Sequence, residues 1–236
     1  MRDVEMIDLN DEEQLIIAAD NAGSIGIKEL DAVKADYKIL AASTLRVAMM
    51  ECLSTGAFPL SIVIHNFCGG NAWTELLKGC HSALEEGGWN VPITGSSETN
   101  FSMLQSALSV TVIGKLNKKD SKINRTPDDA LAAVIGKPLL GSEVLEQKDL
   151  MAPLSLFQEL LTHPDVYEIL PAGSKGILYE YRQLTGWNGN VSCKLDLNKP
   201  AGPSACFLIT FHPSKEEEIK RTAGSHFWPI ERVMPS

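Results

Sequence analysis

Three short segments hold side chains whose types and spacing can do chemistry. They are Ala19-Asp20-Asn21-Ala22-Gly23, Met50-Glu51-Cys52-Leu53-Ser54-Thr55-Gly56-Ala57-Phe58-Pro59 and Thr94-Gly95-Ser96-Ser97-Glu98-Thr99-Asn100. Each sets acidic or amide oxygens beside glycine and small residues, where a polyanion can approach the backbone closely. Mg²⁺ is usually held by one or two carboxylates plus substrate phosphates, so scattered acids beside glycines point to a nucleotide site. Asp20, Glu51 and Glu98 are the candidate metal ligands. Each also has a plainer reading: Asp20 as a turn residue, Glu51 as a solvated helix position, and 94–99 as a polar loop between strands.

The elements that must position them follow from local pattern. Leu15 to Ala19 and Tyr37 to Ala41 read as short strands, the first closed by the turn chemistry of Asp20 to Gly23. Ser43 suits the N-cap of a helix running to Thr55, with Leu45, Ala48, Met49 and Cys52 as its buried stripe and Arg46 and Glu51 off it. Leu60 to Phe67 is a strand, Ala72 to Glu86 a helix ended by Gly87-Gly88, and Met103 to Ile113 another strand. A polar, basic stretch from Asn117 to Pro127 breaks the pattern and divides the chain into domains at 1–116 and 128–236. Beyond it come a helix from Pro153 to Leu161, a strand at Val166 to Leu170 and a helix ending at Leu184. Strands at Val191 to Leu197 and Ala205 to Phe211, a charged helix from Ser214 and a final strand complete the chain. Few long helices among many strands favour an α+β fold.

Composition excludes several classes. At 236 residues with a net charge of −9, the chain lacks the basic face of a general nucleic-acid binder. The cluster Lys115, Lys118, Lys119, Lys122 and Arg125 carries no interleaved aromatics and reads as a solvated linker. Five cysteines without a CxxC pair read as free thiols of a reducing compartment. No apolar run reaches membrane-spanning length, and the expected location is cytoplasmic, with no membrane partner. The five histidines show no HxxxH or HExxH spacing, and no GxSxG elbow is present. His65 and Asn66 end a strand near the first site and are placed to touch a ligand.

Taken together, the three segments resemble the superfamily of aminoimidazole ribonucleotide synthetase, selenophosphate synthetase, thiamine-monophosphate kinase and the hydrogenase-maturation dehydratase. Ala19-Asp20-Asn21-Ala22-Gly23 stands where that superfamily carries Gly-Asp-Asp-Ala-Ala, with an amide replacing the second acid. Gly56-Ala57-Phe58-Pro59 resembles its Gly-Ala-x-Pro turn, and Glu51 stands where relatives place a metal-binding aspartate. The 94–99 segment resembles the Gly-Gly-Asp/Glu-Thr loop, and 109–114 the strand that closes the first domain.

The resemblance implies a two-domain α+β fold whose first domain pairs with a second copy into a shared barrel, a homodimer. It implies ATP and Mg²⁺ as cofactors, with Asp20, Glu51 and Glu98 as ligands. It also implies that Asp20 or Glu51 orients the acceptor hydroxyl, and that Asn21, Arg46, Gly95 and Ser96 contact the nucleotide.

In the second half, Pro171-Ala172-Gly173-Ser174-Lys175-Gly176 is no P-loop, but it exposes amides at a helix N-terminus beside a lysine. Gly173, Ser174, Lys175 and Gly176 are therefore further nucleotide-binding candidates, with a plain helix cap as the alternative. Together with Gly136 to Gly141 and Pro200 to Cys206, this loop resembles the α-ribazole kinase branch. The expected activity is phosphorylation of a base-riboside, a small-molecule substrate. The alternatives are a non-catalytic nucleotide-binding regulator and another ATP-dependent synthetase.

Overall fold

The computed structural model describes residues 2–233; residues 1 and 234–236, at the ends of the two expected domains, lie outside it. The chain divides into two compact units, Arg2–Ser121 and Lys122 onward. The division falls within the 117–127 stretch.

The first unit runs β1 (Val4–Asp8), β2 (Glu13–Gly23), β3 (Ile25–Gly26), β4 (Val33–Lys34), α1 (Tyr37–Ser54), β5 (Phe58–Asn66), α2 (Trp73–Gly87), β6 (Ile93–Ser97) and β7 (Ala107–Asn117). Its main sheet has the order β1-β2-β7-β5-β6. β2 and β7 pair antiparallel from Glu13↔Asn117 to Gly23↔Ala107. β5 and β6 are parallel and joined through α2, a βαβ unit set into an otherwise antiparallel sheet.

Side chains alternate across this sheet. Ile16, Ala18, Val110, Val112, Ile62 and Ile64 are buried on one face, with α1 packed on β2 and β7 and α2 packed on α1. The other face, with Ile17, Ile113 and Val63, is only half-buried.

Tyr37 to Ala41 does not form the expected strand, and Ser43 is not the N-cap: one helix runs from Tyr37 to Ser54 after Asp36. Leu40, Ala41, Thr44, Leu45 and Ala48 continue a single i, i+3, i+4 stripe through both segments, and that longer register overrides a short apolar run. Arg46 is also not off the buried surface. It is 3% exposed, because α1 is buried on nearly every side.

β6 corrects the reading of 94–99 as a loop. Its polar residues have no strand pattern, yet their backbone pairs with Ile62 to Asn66 as an edge strand. β7 begins at Ala107 rather than Met103, because residues 98–106 are held by other bonds described below.

The second unit runs β8 (Leu131–Ile135), α3 (Glu143–Glu146), α4 (Leu154–Thr162), β9 (Val166–Pro171), α5 (Ile177–Thr185), β10 (Val191–Ser192), β11 (Phe207–Phe211), α6 (Glu216–Ala223) and β12 (Phe227–Arg232). These strands form one antiparallel sheet ordered β10-β12-β8-β11-β9. The expected strand at Val191 to Leu197 shrinks to two residues. Leu195 and Leu197 pack on the core, but the Leu197 carbonyl accepts from the Leu178 amide of α5 instead of from a ladder.

The entry to this unit is anchored by Glu168 of β9, a carboxylate only 3% exposed. It accepts from the amides of Asn124, Arg125 and Thr126 and from the Thr126 hydroxyl, at 2.8–3.1 Å. The five cysteines are free thiols, and burial pushes Cys52 and Cys80 up to about 12. No helix of the described residues is long and apolar enough to cross a membrane.

Candidate functional site

Asp20 lies near the end of β2, on the same face as Ile16 and Ala18, opposite Val110 of β7. Strand alternation therefore turns this carboxyl toward the apolar, α1-covered side. Desolvation raises it to about 6, against a smaller opposing effect of a hydrogen bond from the Asn21 amide. A carboxyl held this far above the usual carboxylate range gains from a cation that compensates its charge. This is the feature that fits Mg²⁺. Asn21 points to the other, exposed face.

Glu51 is half-buried on the last turns of α1, with its Oε2 shielded from solvent. Glu98 follows β6, and its amide donates to the Asn66 carbonyl at 2.8 Å. Glu98 Oε1 accepts from the amides of Asn100 (2.6 Å) and Phe101 (3.2 Å), closing a turn.

The three acids do not converge. Among the described residues no group of three His, Cys, Asp or Glu side chains could hold a metal ion. Strand order explains the separation of Asp20 and Glu98: β7 and β5 stand between β2 and β6, so they are at least three strand spacings apart, more than roughly 14 Å. One or two carboxylates suffice for Mg²⁺ when phosphates complete its shell, so this arrangement still fits a nucleotide-bound ion.

A groove of about 220 Å³ opens at the carboxyl ends of the parallel pair, lined by His65, Asn66, Phe67, Ser96, Ser97, Glu98 and Asn100. The ends of parallel strands are where α/β units commonly receive ligands. Asn66 organises the groove. Its Nδ2 donates to the Gly69 carbonyl and Ser97 Oγ, both at 2.9 Å, while Oδ1 accepts from the Cys68 amide at 2.8 Å. Gly69, at φ +109°, makes the turn into α2 that a larger residue would strain.

Ser96 and Glu98 thus share one groove with His65 and Asn66, whereas Gly95 has a packing role. A Cβ there would lie 2.2 Å from the Ile64 carbonyl oxygen and 2.9 Å from the Trp73 ring. Gly95→Ala should lower the thermal midpoint by several degrees, and an unchanged midpoint would refute this role.

Two other nucleotide-binding candidates are placed differently from expectation. Arg46 is buried and engaged within the protein, so it is no solvent-facing phosphate contact. At the start of α5 the Gly176 amide donates to Gly173 and the Leu178 amide to Leu197. Of the amides offered to phosphate, that of Gly176 is therefore already used. Gly173 is half-buried and Ser174 exposed, and the Lys175 ammonium sits 4.5 Å over the Tyr179 ring. Pattern reading missed Lys28, Asp31 and Ser106, whose partners are distant in sequence.

The architecture is the aminoimidazole ribonucleotide synthetase-like α+β fold, as its solved neighbours show. Among them, thiamine-monophosphate kinase from Aquifex aeolicus matches with a TM-score of 0.66 at 12% identity, over 100% of this chain and 90% of the kinase. The same enzyme from Stenotrophomonas maltophilia matches at 0.62 and 14%, over 99% and 89%. PurL of Thermotoga maritima, solved with ATP, matches at 0.60 and 15%; 98% of this chain covers 42% of that protein. This chain therefore spans less than half of the synthase's length. No family model and no curated protein sequence matches the chain.

Proposed function

We propose that this protein binds Mg·ATP and transfers a phosphoryl group to a hydroxyl of a small base-riboside such as α-ribazole. The observation that carries this reading is a fold likeness spanning nearly the whole of a thiamine-monophosphate kinase chain. It is joined to a desolvated carboxyl at a strand end, Asp20. When bound, Mg²⁺ supplies charge neutralisation at the phosphate oxygens. Asp20 holds the cation and is ionised when it does so. His65, Ser96 and Asn100 offer the groove's polar contacts to a sugar or base remote from the transferred phosphoryl group, and Glu98 orders the turn that carries Asn100. Positioning and charge compensation are the main work in this chemistry, so it does not require a proton-transfer dyad.

A second copy completes the site in this reading. The half-buried sheet face exposes Ile7 and Phe58, at 43% and 69%, beside Ile17, Ile113 and Val63. An uncovered apolar sheet face is an association surface. Ile113→Asp should convert a dimer to a monomer in sedimentation at micromolar concentration and weaken ATP binding with it. A wild-type monomer would remove this part of the proposal.

A regulator that binds nucleotide without transfer is the second reading, favoured by Asn21 in place of an acid and by the separation of the three carboxylates. Incubation with Mg·ATP and α-ribazole, followed by mass analysis, separates the two. Phosphorylated riboside supports the kinase. ATP binding with no product across a panel of ribosides supports the regulator.

A further inference from the structure

The Lys28 ammonium lies within hydrogen-bonding distance of three backbone carbonyls: Met103 at 3.0 Å, and Phe67 and Gln105 at 3.3 Å each. These oxygens come from two separate loops, one leaving β5 and one entering β7. Phe67 itself lines the groove.

The base of this arrangement is a network of hydrogen bonds. Asp31, 5% exposed, accepts from the Ser106 amide and hydroxyl at 2.7 Å each and from the Lys28 amide at 2.8 Å. The Tyr37 hydroxyl meets Ser106 Oγ at 3.2 Å. Gln105 Nε2 donates to Ser24 Oγ and to the Leu30 carbonyl, fixing the same loop from its other side.

Carbonyl oxygens that converge on one point are how proteins replace the hydration shell of a potassium ion. Ammonium, a compact charge with several donors, is answered by the same acceptors. We propose that Lys28 is a tethered monovalent cation. Its side chain fills a carbonyl-built cation site that fixes the rim of the groove, and removing the side chain to Cβ opens that site to free potassium. This goes beyond the proposed activity and does not depend on it, because the readout is stability.

The experiment uses the full chain with Lys28→Ala and Lys28→Met, melted in potassium chloride and in tetramethylammonium chloride at equal ionic strength. Alanine leaves the carbonyls facing an ion-sized space. Methionine fills that space with an apolar stem and excludes the ion.

Lys28→Ala should melt at least about 3 °C higher in potassium than in tetramethylammonium, as expected when an ion binds the native state alone. Wild type and Lys28→Met should show no such difference. Three results would each overturn the proposal: equal midpoints for Lys28→Ala in the two salts, its failure to fold in potassium, or an equal potassium gain in Lys28→Met, which would mark a general salt effect.

Discussion

Asp20→Asn should abolish Mg²⁺-dependent ATP binding while making the protein more stable at neutral pH. The two effects have one cause. The native state holds this carboxyl at about 6, above its unfolded value, so between the two values the native state binds more protons. Stability then falls as pH rises from about 4 through 6, and above that range the full cost of the buried charge is present. A displacement of this size corresponds to on the order of 3 kcal/mol, and an amide, which carries no charge, should recover about 1–2 kcal/mol of it. The gain should shrink toward about pH 5, where the wild-type carboxyl is already protonated. Metal affinity should have the opposite dependence, weakening on acidification through 6, because a ligand carboxyl must lose its proton to bind. Calorimetric titration with Mg·ATP and thermal melts at both pH values check the pair. Unchanged affinity in Asp20→Asn would remove Asp20 from the site.

Glu168→Ala should destabilise the protein by about 3 kcal/mol or more, the largest effect expected outside the core. Three amides and a hydroxyl converge on this one buried carboxylate. Truncation leaves three part-buried amides without their acceptor, each at a cost of up to about 1–3 kcal/mol before relaxation. Glu168→Gln retains one acceptor oxygen and should lose less. Urea unfolding of the two variants gives the comparison, and equal losses would show that bulk rather than hydrogen bonding matters here. The loss has a clear local consequence: residues 124–126 would come away from β9 at the point where the chain enters the second unit.

What the sequence made legible was what repeats locally. Leu60 to Phe67, Ala72 to Glu86 and Val166 to Leu170 carry strand or helix periodicity strong enough to be seen alone. Their counterparts β5, α2 and β9 match them to within a few residues. The first turns of α1 were illegible because Tyr37 to Ala41 fits both periods over five residues, and only its continuation into Leu45 and Ala48 decides. β6 was illegible because an edge strand needs only backbone partners. Among the candidate site residues, Asp20 stood out by its place at the end of an apolar run. The distance of Glu98 from Asp20 was not visible, since it follows from β7 and β5 standing between β2 and β6. The bonds from Asp31 to Ser106 join residues 75 apart and leave no local trace.

That insertion also governs how the first unit can fold. β7 is the last of its strands in sequence and the middle one in space. Until it arrives, the β1–β2 hairpin and the β5–α2–β6 crossover share no ladder, and each has an open edge. The pairing of Glu13 with Asn117 closes a loop around almost the entire unit. Contacts of such long range must be reached before they contribute, so the search for them sets the folding rate. The expected kinetics are slow and cooperative, with the two halves docking onto β7 in one event, and synthesis must pass residue 117 before that event can begin.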